Sequence, residues 1–357
     1  MSDAEVICEQ RGVAGFITLN RPAALNALTH GMVRAIAAAL DAWEQDPAIE
    51  RVVIAGAGER AFCAGGDVRA LYEQGRAGDH DGQMRFWFDE YRLNHRIKTY
   101  PKDFVALIDG IVMGGGVGVS LHGSHRVAGE RFALAMPEAS IGFFPDVGAS
   151  FFLCRLPGQI GLWIGLTGGR VKAGDACMLG LADAFVPPER WPLLAGRLSE
   201  RGETTALVAS LAAPAPAATL PGERAVIDRC FASRSLSEIL ARLDKVAASG
   251  SGFAASAAAA MRKNAPLSMA IFQQQMQRGA ALGFADTMRM EYRIVSRVCR
   301  APDFYEGVRA LIIDKDLSPR WRPAGLNDLD LGEVDAYFAP LPDGELDLAG
   351  ATGPALA

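Results

Sequence analysis

Glu138 and Asp146 stand eight residues apart in Met136-Pro-Glu-Ala-Ser-Ile-Gly-Phe-Phe-Pro-Asp-Val-Gly148. An apolar, glycine-rich stretch is a costly place for two carboxyls unless they are paired or used, because burial disfavours the charged form. Two such groups can divide acid–base or nucleophilic work: one attacks or accepts a proton, the other orients or donates. The structural alternative is a turn residue after Pro137 and another after Pro145.

Two glycine clusters supply a complementary device. Cys63-Ala-Gly-Gly-Asp67 and Gly114-Gly-Gly116 each follow an apolar run that reads as a strand. Glycine lets the main chain approach a ligand closely, and N–H groups from two separate loops can converge on one carbonyl oxygen to hold the charge that develops there. A helix opening after each loop would add its dipole in the same sense. Either cluster alone reads equally well as a tight turn, and Asp67 reads as the cap of the helix after it.

Other chemistries fit poorly. Leu121 stands where a dinucleotide-binding Gly-x-Gly-x-x-Gly beginning at Gly116 needs its last glycine, and Gly56-Ala-Gly58 is followed by Ala61 at that place. No Gly-x-x-x-x-Gly-Lys-Ser/Thr occurs. Ser120 is a poor nucleophile elbow, since His122 replaces the second glycine and no histidine follows at long range.

The elements that must position these groups alternate through the first third of the chain. Residues 6–10 and 13–19 flank Arg11-Gly12 as a hairpin, and Thr29 caps a helix with an apolar stripe of Met32, Val33, Ile36, Leu40 and Trp43. Residues 52–54 and 104–108 read as strands, with a polar, helical and mobile stretch around 69–83 between them. A linker is expected at 211–221, followed by helices at 238–246, capped from Ser235 or Ser237, at 267–278 and at 284–300. The pattern is α/β followed by a helical region, with a Gly/Pro/Ala-rich, loose tail over 341–357.

Half of the 357 residues are hydrophobic and 22% are charged, with a net charge of −5 and no single-sign run. That argues against nucleic acid and against a polybasic membrane contact. Met1-Ser-Asp-Ala-Glu-Val6 shows no basic segment leading into an apolar one, and no apolar run reaches the ~18 residues of a spanning helix, so a cytoplasmic location is expected. Six scattered cysteines read as reduced thiols, and the five histidines make no metal-ligand spacing. No cofactor and no metal are expected.

Four motifs in order, Ala61-Phe-Cys-Ala-Gly-Gly-Asp67, Ile108-Asp-Gly-Ile-Val-Met-Gly-Gly-Gly-Val-Gly118, Met136-Pro-Glu138 and Glu306-Gly-Val-Arg-Ala310, resemble the crotonase (enoyl-CoA hydratase/isomerase) superfamily. The resemblance implies a crotonase-like spiral of ββα repeats over 1–205, carrying the oxyanion hole and catalytic carboxylates, with a helical region over 206–340. It implies Gly66 and Gly115 as the two oxyanion donors for an acyl-CoA thioester carbonyl. Hydratases of the superfamily carry one catalytic glutamate three residues after the oxyanion glycine, where this chain has Gly118, and a glycine where it has Asp146.

That exchange, with Phe143-Phe-Pro-Asp-Val-Gly148, Glu90-Tyr-Arg-Leu-Asn94 and Asp314-Lys-Asp-Leu-Ser-Pro-Arg-Trp-Arg-Pro323, resembles the 3-hydroxyisobutyryl-CoA hydrolase branch. The branch implies thioester hydrolysis in valine breakdown, with Glu138 and Asp146 catalytic and Glu90, Gly115, Glu138 and Asp146 touching substrate. Read without it, Glu90 is a solvated helix residue beside Asp89. Arg21, Arg69 and Lys315 are candidates by position to meet CoA phosphates, but each reads first as an ordinary surface charge. The resemblance is compatible with a homo-oligomer. Two other readings stay open: a hydratase or isomerase using Glu138 alone, and a non-catalytic acyl-CoA-binding protein.

Overall fold

A computed structural model describes residues 4–342 and 344–348. A six-stranded sheet runs in the order β1 (Val6–Arg11), β2 (Ala14–Leu19), β3 (Arg51–Gly56), β5 (Asp103–Ile108), β7 (His125–Ala128), β10 (Ala184–Phe185). A second sheet runs β4 (Ala61–Cys63), β6 (Ile111–Met113), β8 (Ala133–Ala135), β9 (Val171–Lys172). Among the described strands, β1–β2 and β8–β9 pair antiparallel and the other neighbours pair parallel. The chain passes from β3 to β4, from β5 to β6 and from β7 to β8, so each turn lays one strand in each sheet before returning: a crotonase spiral of ββα repeats.

Strand period accounts for the two-sided burial of the large sheet. In β5, Phe104, Ala106 and Ile108 belong to the main core, while Val105 and Leu107 face a second cluster with Leu194, Leu198 and Val208. The passage from β5 to β6 needs Gly110 at φ 82, a conformation that favours glycine.

The first helix, α1 (His30–Gln45), is capped by Thr29, whose hydroxyl accepts the Met32 N–H at 3.2 Å. The polar stretch after β4 forms α2 (Val68–Arg76) and α3 (His80–Lys98). After the second glycine cluster the helix α4 is one turn, Gly115–Gly118, so individual N–H groups rather than a long dipole act there.

The helices expected in the last third are Leu236–Ala248, Pro266–Gly279 and Phe284–Val298. Leu220–Phe231, Gly252–Lys263 and Pro302–Val308 are helical as well. In the tail expected to be loose, residues 343 and 349–357 lie outside the described residues; nearer the core, Glu345 pairs with Arg293 and Leu346 is buried.

Candidate active site

The loop after β4 lies beside Leu28 as a short parallel bridge: the Leu28 N–H donates to the Gly65 carbonyl at 2.8 Å and the Asp67 N–H to the Leu28 carbonyl at 2.8 Å. In this pattern the bridging residue's own N–H points the other way. The Gly66 nitrogen lies beside Gly115, where a Cβ would stand 3.4 Å from it. Two glycines from separate loops thus lie side by side, an arrangement compatible with an oxyanion hole. Asp67 caps α2 through the Ala70 N–H at 3.3 Å and also accepts from Arg21 at 3.1 Å.

Around these amides lies a cavity of about 200 Å³ whose walls include Glu90, Glu138 and Asp146. Glu138 opens the 3-10 turn Glu138–Ile141 directly after β8, with Oε1 3.2 Å from the Cβ position of Gly114. Glu90 comes from α3, and its Oε1 lies 2.5 Å from the point where a Cβ on Gly115 would stand, so a side chain there would displace the Glu90 carboxyl. Far from being solvated, Glu90 is 2% exposed, Glu138 7% and Asp146 4%. Among the described residues, Glu90 Oε1 and Glu138 Oε2 have no hydrogen-bond partner, whereas Asp146 Oδ2 accepts from the Tyr91 hydroxyl at 2.8 Å.

Three carboxyls in one small cavity cannot all ionise. Burial, and then the charge of Asp146, raise Glu90 and Glu138 well above the ordinary carboxylate range. Burial, and then the charge of Glu291, push Asp146 up to about 8, against the pull of the Tyr91 hydroxyl.

Asp146 sits on a forced corner. Val147 follows at φ 52 and Gly148 at φ 86. A β-branched residue in the left-handed region is strained, and such strain persists only where the surroundings hold it. His122 Nε2 engages the Val147 carbonyl at 2.7 Å, and Glu291 accepts the Gly148 N–H at 2.6 Å. Burial lowers His122 to about 4, so it is neutral and its Nε2–H donates.

Gly118, where hydratases carry a glutamate, is packed shut. A Cβ there would lie 2.6 Å from Asn94 Nδ2 and 2.9 Å from the Val147 Cβ. One wall of the cavity is aromatic: Trp87 stacks on Phe143 at 5.7 Å between centroids, and Phe304 stands 5.7 Å from Phe143.

The structure thus brings Gly66, Gly115, Glu90, Glu138 and Asp146 into one cavity. Arg21 is engaged by Glu5 and Asp67, and Arg69 by the Ile312 carbonyl. Residues 306–320 form a brace in which Arg309 binds Glu306, Asp314 and Asp316. Sequence reasoning missed Tyr91 and Glu291. Glu291 carried a signal: it occupies the apolar stripe Met288, Ile294, Val295, Val298, where a lone carboxyl needs a reason.

A model of the enoyl-CoA hydratase/isomerase family matches residues 14–338. The mitochondrial 3-hydroxyisobutyryl-CoA hydrolase of Danio rerio is 44% identical over 97% of this chain and 92% of its own length. A carnitinyl-CoA dehydratase from Mycobacterium thermoresistibile superposes with a TM-score of 0.92 at 41% identity, covering 98% of this chain and all of the other. An enoyl-CoA hydratase from Rhodobacter sphaeroides 2.4.1 gives 0.88 at 45% identity, covering 96% of this chain and 100% of its own.

Proposed function

The chain belongs to the enoyl-CoA hydratase/isomerase family, and from that membership we propose that it is an acyl-CoA thioester hydrolase that cleaves 3-hydroxyisobutyryl-CoA to the free hydroxy acid and CoA. The names of the two solved relatives point to hydration and dehydration, that of the Danio rerio relative to hydrolysis. One observation favours hydrolysis: the glutamate position of hydratases is a glycine filled by Asn94 and Val147, while a carboxyl absent from hydratases, Asp146, enters the cavity instead.

The Gly66 and Gly115 amides polarise the thioester carbonyl; losing one such donor typically costs about 3 kcal/mol of transition-state stabilisation. Ionised Glu138 attacks the carbonyl carbon, the C–S bond breaks, and the departing thiolate takes the proton of Asp146. Water then opens the mixed anhydride, its hydroxyl joining the acyl group and its proton returning to Asp146. A second route has Glu138 act as base for the attacking water. Glu90, whose Oε1 has no hydrogen-bond partner among the described residues, accepts the β-hydroxyl of the substrate and so selects for it.

CoA enters as part of the substrate, and the proposal needs no separate cofactor. The step belongs to valine catabolism, and 3-hydroxypropionyl-CoA is a second substrate that this chemistry allows. All six thiols are unpaired, which supports a reducing compartment, for which we propose the cytoplasm.

The test is free-thiol release from 3-hydroxyisobutyryl-CoA, run beside loss of the enoyl absorbance of crotonyl-CoA. Thiol release without enoyl hydration is expected. Hydration without thiol release overturns the proposal.

A further inference from the structure

Behind the Asp146 corner, away from the cavity, lies a carboxyl that the reaction above does not use. Glu291 comes from the helix Phe284–Val298 and is fully buried. It receives the Gly148 N–H at 2.6 Å, the Ser150 N–H at 3.0 Å, the Ser150 hydroxyl at 2.6 Å and the Gln275 amide at 3.3 Å. Gln275 in turn donates to the Pro145 carbonyl at 2.6 Å. Both sides of the 145–150 turn are therefore tied to helices of the C-terminal region.

Every contact to Glu291 is a donor, and a carboxyl that only accepts is best satisfied as the anion. Those donors oppose the burial that pushes it up to about 7. No cation pairs with it among the described residues, so its charge acts on the turn it holds.

We propose that Glu291 is a positioning residue for thioester hydrolysis: it fixes the Asp146 corner through Gly148 and Ser150, and its negative charge behind that corner favours the acid form of Asp146. Titratable groups surround Asp146 on several sides. Glu90 and Tyr91 face it from α3, Glu138 from the 3-10 turn, and Glu291 from behind, while neutral His122 holds the next carbonyl. The charge of Asp146 is a main obstacle to ionising Glu138, second only to burial. An anion behind Asp146 disfavours that charge.

The inference rests on the hydrolase reading with Asp146 as acid. Its test is the pH profile of kcat for thiol release by Glu291→Gln. The substitution removes the charge, so Asp146 ionises more easily and the alkaline limb moves to lower pH, by about one unit, with KM little changed. A uniform fall of kcat at all pH values, or a limb that stays or moves up, overturns the proposal and leaves a purely structural clamp. If Glu291→Gln does not fold, Ser150→Ala decides: losing one donor weakens the Glu291 anion, so the limb shifts in the same direction by less, and an unmoved limb overturns the proposal. Failure of the hydrolase reading looks different, since the unsubstituted protein then releases no thiol at any pH.

Discussion

Asn94 Nδ2 lies 2.6 Å from the point where a side chain on Gly118 would begin. The carboxamide and the Val147 side chain occupy the volume that a hydratase gives to a catalytic glutamate. Gly118→Ala is therefore expected to lower stability by about 1–3 kcal/mol through overpacking, read as a lower urea midpoint with an unchanged slope. Gly118→Glu restores no hydration of crotonyl-CoA. Hydration gained by that variant would show that the volume opens more easily than the packing implies.

Glu138→Gln and Asp146→Asn are each expected to reduce thiol release by at least about 100-fold while the far-UV spectrum stays native. Near-normal turnover in either variant removes that residue from the mechanism.

Asp146 also makes stability depend on pH. Its folded-state value is raised, so the ionised form is the one the fold disfavours; the destabilisation is absent below its ordinary 3.8, grows as pH rises, and is complete above about 8. Between pH 5.5 and 8.5 the unfolding temperature of the parent protein should fall further than that of Asp146→Asn, by a few degrees. Equal falls would mean that Asp146 is solvated in the native state.

Glu90→Gln tests recognition of the β-hydroxyl. The expected result is a loss of about 100-fold in kcat/KM for 3-hydroxyisobutyryl-CoA, with isobutyryl-CoA, which lacks the hydroxyl, affected far less. An equal loss on both substrates would place Glu90 outside hydroxyl selection.

Phe143, packed between Trp87 and Phe304, lines the cavity. Phe143→Ala should cost about 3–5 kcal/mol of stability and raise the preference for longer β-hydroxyacyl chains, measured as a ratio of kcat/KM values. An unchanged ratio would put the length limit elsewhere.

Much of this was legible because the signals are local. Thr29 and Ser235 each complete their cap within three residues, and the glycines before Gly66 and Gly115 mark turns that only the backbone needs. Glu90 was harder to read. Beside Asp89 it looks like half of a solvated pair, yet neighbours on a helix point about 100° apart; Asp89 meets His30 at 2.6 Å near the surface while Glu90 turns into the cavity. The helix Gly252–Lys263 escaped because a run of alanines carries almost no periodic contrast. Glu291 is 145 residues from Asp146 along the chain, and only the fold brings the two together.

That separation has a temporal meaning for a chain made from its N-terminus. Gly66, Glu90, Gly115, Glu138 and Asp146 have all left the ribosome when residue 146 has, yet Glu291, Phe304 and Ile312, which brace the corner and close the wall, are still unmade. A nascent chain carries every reacting group with nothing behind Asp146 and an open side to the acyl pocket. Hydrolytic competence therefore waits for the final helices to dock, since a polypeptide released before residue 291 lacks the clamp behind Asp146.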